Sequence, residues 1–182
     1  MNDKLTNKKA LITGSSGGIG KALCENFIDN KYQIIFTSSS NEKLNKLKET
    51  YGLDHIYYHL DFLNISDFKK NIELIANENK DIDVLVNNAG LTKDNLFLRM
   101  KEDQWNEVLS VNLNSNFHII KSILPNMIKN RFGKIIGISS VVALTGNPGQ
   151  ANYTASKAAI ISMYKSLAIE VAQRNICINL IA

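Results

Sequence analysis

Cysteine is nearly absent: Cys24 and Cys177 are the two in 182 residues, far apart and without paired spacing. That excludes a disulfide framework and a cysteine-built metal site, and both side chains read as buried thiols in a reducing compartment. No apolar run approaches the ~20 residues that cross a bilayer. The amino terminus leads into an apolar strand without the core of a signal peptide. The expected location is the cytoplasm, with no membrane partner. Prolines number two, and no repeat, low-complexity tract or linker divides the chain. Basic residues exceed acidic ones by 21 to 17, but the two signs are interleaved, which argues for solvated helix faces and against nucleic-acid binding. The three histidines, His55, His59 and His118, read as packing or surface residues, and no metal is expected. What remains is 45% hydrophobic and 21% charged, the composition of one globular domain.

Along the chain, short apolar runs alternate with stretches of helical period. Strands are expected at 10–13, 33–37, 56–60, 84–86, 133–138 and 176–181. Helices are expected at 19–29, 41–50, 66–79 with Ser66 as the cap, 102–129 and 152–173. In the fourth helix Trp105, Val108, Leu109, Leu113, Phe117 and Ile120 share a face, and Pro125 should kink or tighten its end. Strict alternation predicts an α/β domain over 1–182, a doubly wound parallel sheet with helices on both faces.

The first strand turns into a helix through Thr13-Gly14-Ser15-Ser16-Gly17-Gly18-Ile19-Gly20. Glycines there allow a tight turn and close approach of a ligand, and the helix start behind them offers free N–H groups to a diphosphate. The spacing differs from the common dinucleotide fingerprint, and no Lys-Ser/Thr follows to make a P-loop. The second strand ends in Thr37-Ser38-Ser39-Ser40, hydroxyls where a carboxylate would select an unphosphorylated ribose. This favours NADP(H) over NAD(H). Tyr153 and Lys157 lie four apart, so on a helix they share a face. A lysine ammonium near a phenol draws the tyrosine below its usual ~10 and makes it a usable proton donor. Residues 137–141 lack the second glycine of a hydrolase nucleophile elbow, which leaves Ser140 as a strand-end hydroxyl.

Taken together, the 13–20 loop, Leu60-Asp61, Asn87-Asn88-Ala89-Gly90, Asn112, Ser140 and Tyr153-x3-Lys157 resemble the classical short-chain dehydrogenase/reductase family from Lys8 onward. Within it, residues 91–101, Trp105-Asn106 and 146–153 are most similar to the reductases of 3-oxoacyl groups carried on acyl carrier protein in type II fatty acid synthesis. The resemblance implies a nicotinamide cofactor, NADP(H), near Gly14, Ser15, Ser16, Gly18, Ile19 and Gly20 (diphosphate and ribose). It places Ser39 at the 2′ position, Asp61 and Phe62 at the adenine, and Asn88, Ala89 and Gly90 with Tyr153 and Lys157 at the nicotinamide ribose. It also implies a catalytic set of Asn112, Ser140, Tyr153 and Lys157. Tyr153 donates the proton, Lys157 assists it, Ser140 binds the substrate carbonyl, and Asn112 holds a water that leads to solvent. Family likeness further implies a homo-oligomer through the long helices. A basic patch of Lys129, Arg131, Lys134 and Arg174 is a candidate docking surface for the acidic carrier. Family members extend past the position of Ala182. The expectation is therefore a chain lacking the family's last strand and substrate lid: a piece of a working reductase, or a catalytically impaired nucleotide-binding remnant. A reductase of another ketone, such as acetoacetyl-CoA, is the other alternative.

Overall fold

Short β-branched and leucine-rich runs that are apolar at every position need cover on both faces, and the chain provides it by alternation. The computed structural model describes residues 8–182. In order these form β1 (Lys9–Ile12), α1 (Gly18–Asp29), β2 (Gln33–Ser38), α2 (Asn41–Tyr51), β3 (Ile56–His59), α3 (Ile65–Glu78) and β4 (Ile82–Asn87). There follow α4 (Glu102–Leu109), α5 (Ser115–Asn130), β5 (Gly133–Ile138), α6 (Val142–Thr145), α7 (Ala151–Val171) and β6 (Ile176–Ile181). All strands are parallel, in the order β3-β2-β1-β4-β5-β6. This is the doubly wound α/β fold, and its strand order reverses between β1 and β4.

Register sorts the core into two layers. Leu11 pairs with Ile35 and Leu85, and these side chains meet Phe68, Ile72, Ile119, Ile123, Ile160 and Tyr164 from α3, α5 and α7. The alternate residues Ala10, Ile12, Ile34, Phe36, Val84 and Val86 meet Cys24, Leu44 and Leu47 from α1 and α2. Each fully buried Leu, Ile or Phe contributes roughly 1.5–3 kcal/mol. The second layer stops short of β6, where Cys177, Asn179 and Ile181 face outward. Cys177 is therefore exposed, not buried as its composition suggested, whereas Cys24 is sealed and burial pushes its thiol up to about 12.

Several local expectations are corrected. The cap of α3 is Asn64, whose side chain accepts from Asp67 N, and Ser66 lies inside the helix. The long helix at 102–129 is interrupted by a π-helical turn, Ser110–Asn114. Phe117 is 49% exposed, because Asn112, Ser115 and Asn116 fill the buried stripe instead. Pro125 does lie near the end of α5, as expected, and the helix closes on a left-handed cap at Arg131 whose N–H donates to Ile128 O. Lys129, Arg131, Lys134 and Arg174 sit at the amino-terminal ends of β5 and β6, the far end of the sheet from Ser140.

Beneath the end of β5, Tyr164 lies over Gly137. A Cβ there would come within 2.6 Å of Cε1 of the Tyr164 ring. Gly137→Ala is expected to destabilise the protein by about 1–3 kcal/mol, measured by urea unfolding. Combining it with Tyr164→Leu should cost less than the sum of the two single changes; strict additivity would show that the two sites do not share this space.

Candidate active site

The carboxyl ends of β1, β2, β3 and β4 open onto a cleft of about 590 Å³. Its floor is the glycine loop. Gly14 has φ +66°, in the left-handed region, and a Cβ on it would press on Ala89 and Asn88. Gly20 is tighter still: its Cβ would stand 2.1 Å from Gly14 O. These two glycines serve close packing within the chain. Gly18 is different, because a Cβ there meets no protein atom within 4 Å while the residue lines the cleft. The N-cap of α1, Gly17, adds no side-chain cap, and no acidic residue stands in the first turn. The N–H groups of α1 thus face the cleft with positive partial charge. A cradle bare of side chains and backed by a helix start fits a dinucleotide diphosphate.

Of the expected cofactor contacts, Gly14, Ser16, Gly18, Ile19, Gly20, Ser39, Asp61, Phe62, Asn88, Ala89 and Gly90 line this cleft. Ser15 does not. It is fully buried, its hydroxyl donates to Ile12 O and accepts from Thr37 N, and its own N–H binds Thr37 O. Its polar groups lock β1 to β2 and face away from the cleft. Thr13, quoted in the motif but given no role, is the clamp of the cleft: its Oγ1 accepts from the N–H groups of Asn88 and Ala89, each at 3.0 Å. Ser38, Leu63, Leu91 and Val111 also line the cleft. No sequence motif marks Leu63 or Val111, which arrive from loop and helix. At the β2 end Ser16 and Ser38 hydroxyls lie 3.2 Å apart, and Asp61 is the one carboxylate among the lining residues.

Beyond Gly90 stand the four expected catalytic residues. In the π turn the N–H of Ser115 reaches back to Ser110 O. Val111 O then accepts from the Ser115 hydroxyl, and Asn112 O from Asn116 Nδ2 at 2.9 Å. The turn presents the buried Asn112 amide sideways. Its Oδ1 accepts from Leu91 N at 2.9 Å, and Nδ2 donates to Leu91 O and to Ser156 Oγ. Lys157 is 4% exposed. Burial holds its ammonium down to about 8, and Nζ donates to Ile138 O at 2.6 Å. The Lys157 Nζ lies 5.6 Å from the centre of the Tyr153 ring, so the two share a helix face as their spacing requires, with the cation over the ring. The hydroxyls of Ser140 and Tyr153 are half-buried and carry no hydrogen bond among the described residues. Two of the four, Asn112 and Lys157, converge at Gly90, where a Cβ would be 3.3 Å from Asn112 Oδ1 and 3.6 Å from Lys157 Nζ. Tyr153 and Lys157, both expected at the nicotinamide ribose, are not among the residues lining the cleft itself.

With this geometry in place, comparison with known proteins identifies the class. The family described as short chain dehydrogenase matches residues 8–182, and the chain belongs to that family. Relatives include the 3-oxoacyl-[acyl-carrier-protein] reductase FabG of Buchnera aphidicola subsp. Acyrthosiphon pisum, 40% identical over 98% of this chain and 73% of the relative. The enzyme of the same name from Aquifex aeolicus is 43% identical over 100% of this chain and 75% of its own length. That of Escherichia coli K12 is 41% identical over 96% and 72%.

The two kinds of glycine separate experimentally. Gly20→Ala is expected to lower the thermal midpoint, because backbone must move away from backbone. Gly18→Ala should leave the midpoint unchanged or slightly raised and weaken binding of a nicotinamide dinucleotide about tenfold by crowding the cleft. Fluorescence titration and thermal unfolding of both variants check this; equal behaviour of the pair would refute the division.

Proposed function

We propose that the protein reduces a 3-oxoacyl thioester, carried on acyl carrier protein, to the 3-hydroxyacyl thioester. When bound, a reduced nicotinamide supplies hydride to the carbonyl carbon. Tyr153 then gives its phenolic proton to the carbonyl oxygen as negative charge develops there. The Ser140 hydroxyl, free of other partners, donates to the same oxygen and orients it. Lys157 places a positive charge beside the Tyr153 ring and favours the phenolate left behind. Asn112 Oδ1 keeps one lone pair beyond its bond to Leu91, and a water shared with Lys157 beside Gly90 would return the proton from solvent. The observation that carries the reading is the convergence of Asn112 and Lys157 on Gly90, a wall of the dinucleotide cleft. NADPH is the proposed cofactor, since the end of β2 offers the Ser38 and Ser39 hydroxyls, with Ser16 of the glycine loop beside Ser38, and no carboxylate.

The test is NADPH oxidation by the purified chain with an acetoacetyl thioester. Turnover should exceed that with NADH, fall as pH rises through about 8 where Lys157 loses its charge, and drop about 10²–10⁴-fold in Tyr153→Phe with NADPH binding retained. A chain that binds NADPH but turns over no ketone would favour a nucleotide-binding role instead.

We further propose a homo-oligomer through α4–α5 and α7, where Phe117 and Ile169 are exposed apolar side chains. A two-fold axis across these helices runs them antiparallel. That would carry the Lys129, Arg131, Lys134 and Arg174 patch of one protomer toward the site of its partner, where an acidic carrier protein would dock. Reversing the charge of Arg131 and Arg174 together is expected to slow turnover of the carrier-linked substrate about tenfold or more and leave the small thioester unaffected. Equal rates with the carrier-linked substrate would remove the patch from the proposal.

A further inference from the structure

Tyr153 sits in the first turn of α7, and that turn is poorly capped. The side chain of the N-cap residue, Gln150, accepts from no N–H of the helix, and no acidic residue occupies the first turn. The leading N–H groups of such a helix lack intrahelical partners and fray unless something accepts from them. Here the acceptor comes from inside the turn. Asn152 is fully buried, and its Oδ1 accepts from the backbone N–H of Tyr153 at 2.7 Å. Its amide hydrogens go elsewhere in the chain: Nδ2 donates to Lys93 O at 3.0 Å and to Gln104 O at 3.2 Å. The arrangement admits one orientation, since a flipped amide would set oxygen against two carbonyls and nitrogen against an N–H.

The far ends of these bonds matter. Lys93 lies two residues beyond Leu91, whose N–H and C=O are both held by Asn112, and three beyond Gly90 in the cleft wall. The same segment is tied to the start of α7 by Asn95 N to Gly149 O and by Gln150 Nε2 to Asp94 Oδ2. The geometry points to Asn152 as a positioning residue: its carboxamide transmits the location of the cleft wall to the backbone of Tyr153. This rests on the reductase reading for what Tyr153 then does, but not for the placement itself.

Two variants and two readouts test it. Asn152→Ala removes all three bonds. The Tyr153 amide should exchange with solvent about tenfold faster, while the amides of Ile160 and Tyr164 keep their protection. Turnover per NADPH-binding site should fall about 10–100-fold, with the NADPH dissociation constant within about threefold of the original. Asn152→Asp is nearly isosteric and guards against a variant that fails to fold. Facing two carbonyl oxygens, its carboxyl is favoured in the protonated form, which restores one donor. Its deficit should therefore shrink as pH falls, a recovery that lost packing alone does not produce. Full turnover per bound NADPH in Asn152→Ala, or a deficit in Asn152→Asp that is the same at every pH, would overturn the assignment. If the unaltered chain shows no turnover, the reductase reading fails separately, and the Tyr153 exchange rate decides the positioning claim: faster in Asn152→Ala supports it, unchanged refutes it.

Discussion

The Asn112 carboxamide grips the peptide groups of Leu91 on both sides, donor to carbonyl and carbonyl to donor. A regular α-helix would not free it to do so. The π turn widens the helix by one residue, and π turns of this kind gather at functional sites. The turn costs main-chain bonds, and the side chains of Ser115 and Asn116 offset them by donating to Val111 O and Asn112 O. From this grip the β4–α4 connection takes its path, and with it Gly90 on one side and the carbonyl of Lys93 on the other. The wall of the dinucleotide cleft and the anchor for the Tyr153 helix are thus set by one side chain and its helix defect.

Charge is arranged economically around that frame. Lys157 is buried with a backbone carbonyl as hydrogen-bond partner and an aromatic ring beneath it. Among the described residues no carboxylate holds it permanently in an ion pair, and desolvation lowers its proton affinity toward neutrality. A group so held can change protonation at modest cost. Below the cleft, by contrast, Asn87, Tyr164 and Asn116 form a neutral chain, Asn87 Nδ2 to Tyr164 Oη to Asn116 Oδ1. That chain fixes β4 against α5 and α7 without placing a charge in the core.

Much of this was legible in the sequence. The alternation of apolar runs and helical periods marked all six strands along the chain, and the glycine loop fell where β1 meets α1. Asn112, Ser140, Tyr153 and Lys157 could be named as a candidate set because their types and spacing match a family pattern, not because any local periodicity marks them. Other features were hidden for physical reasons. A buried stripe made of Asn112, Ser115 and Asn116 defeats a hydrophobic count, so both the π turn and the exposure of Phe117 escaped it. A glycine-rich loop reveals its place but not its orientation, so Ser15 was expected at the ligand when it faces the strands. Asn152 bonds to carbonyls 59 and 48 residues away, a partnership no local pattern records. The far-end location of Arg131 and Arg174 was readable from strand direction, since residues that precede a parallel strand lie opposite its carboxyl end.

The uneven covering of the sheet has one more consequence. Of the two thiols, one is enclosed between sheet and helices and resists ionisation; the other stands on the bare face of the edge strand. The folded protein therefore presents a single thiol to alkylating or spin-labelling reagents. Its rate of modification is a gauge of whatever comes to lie over that side of β6.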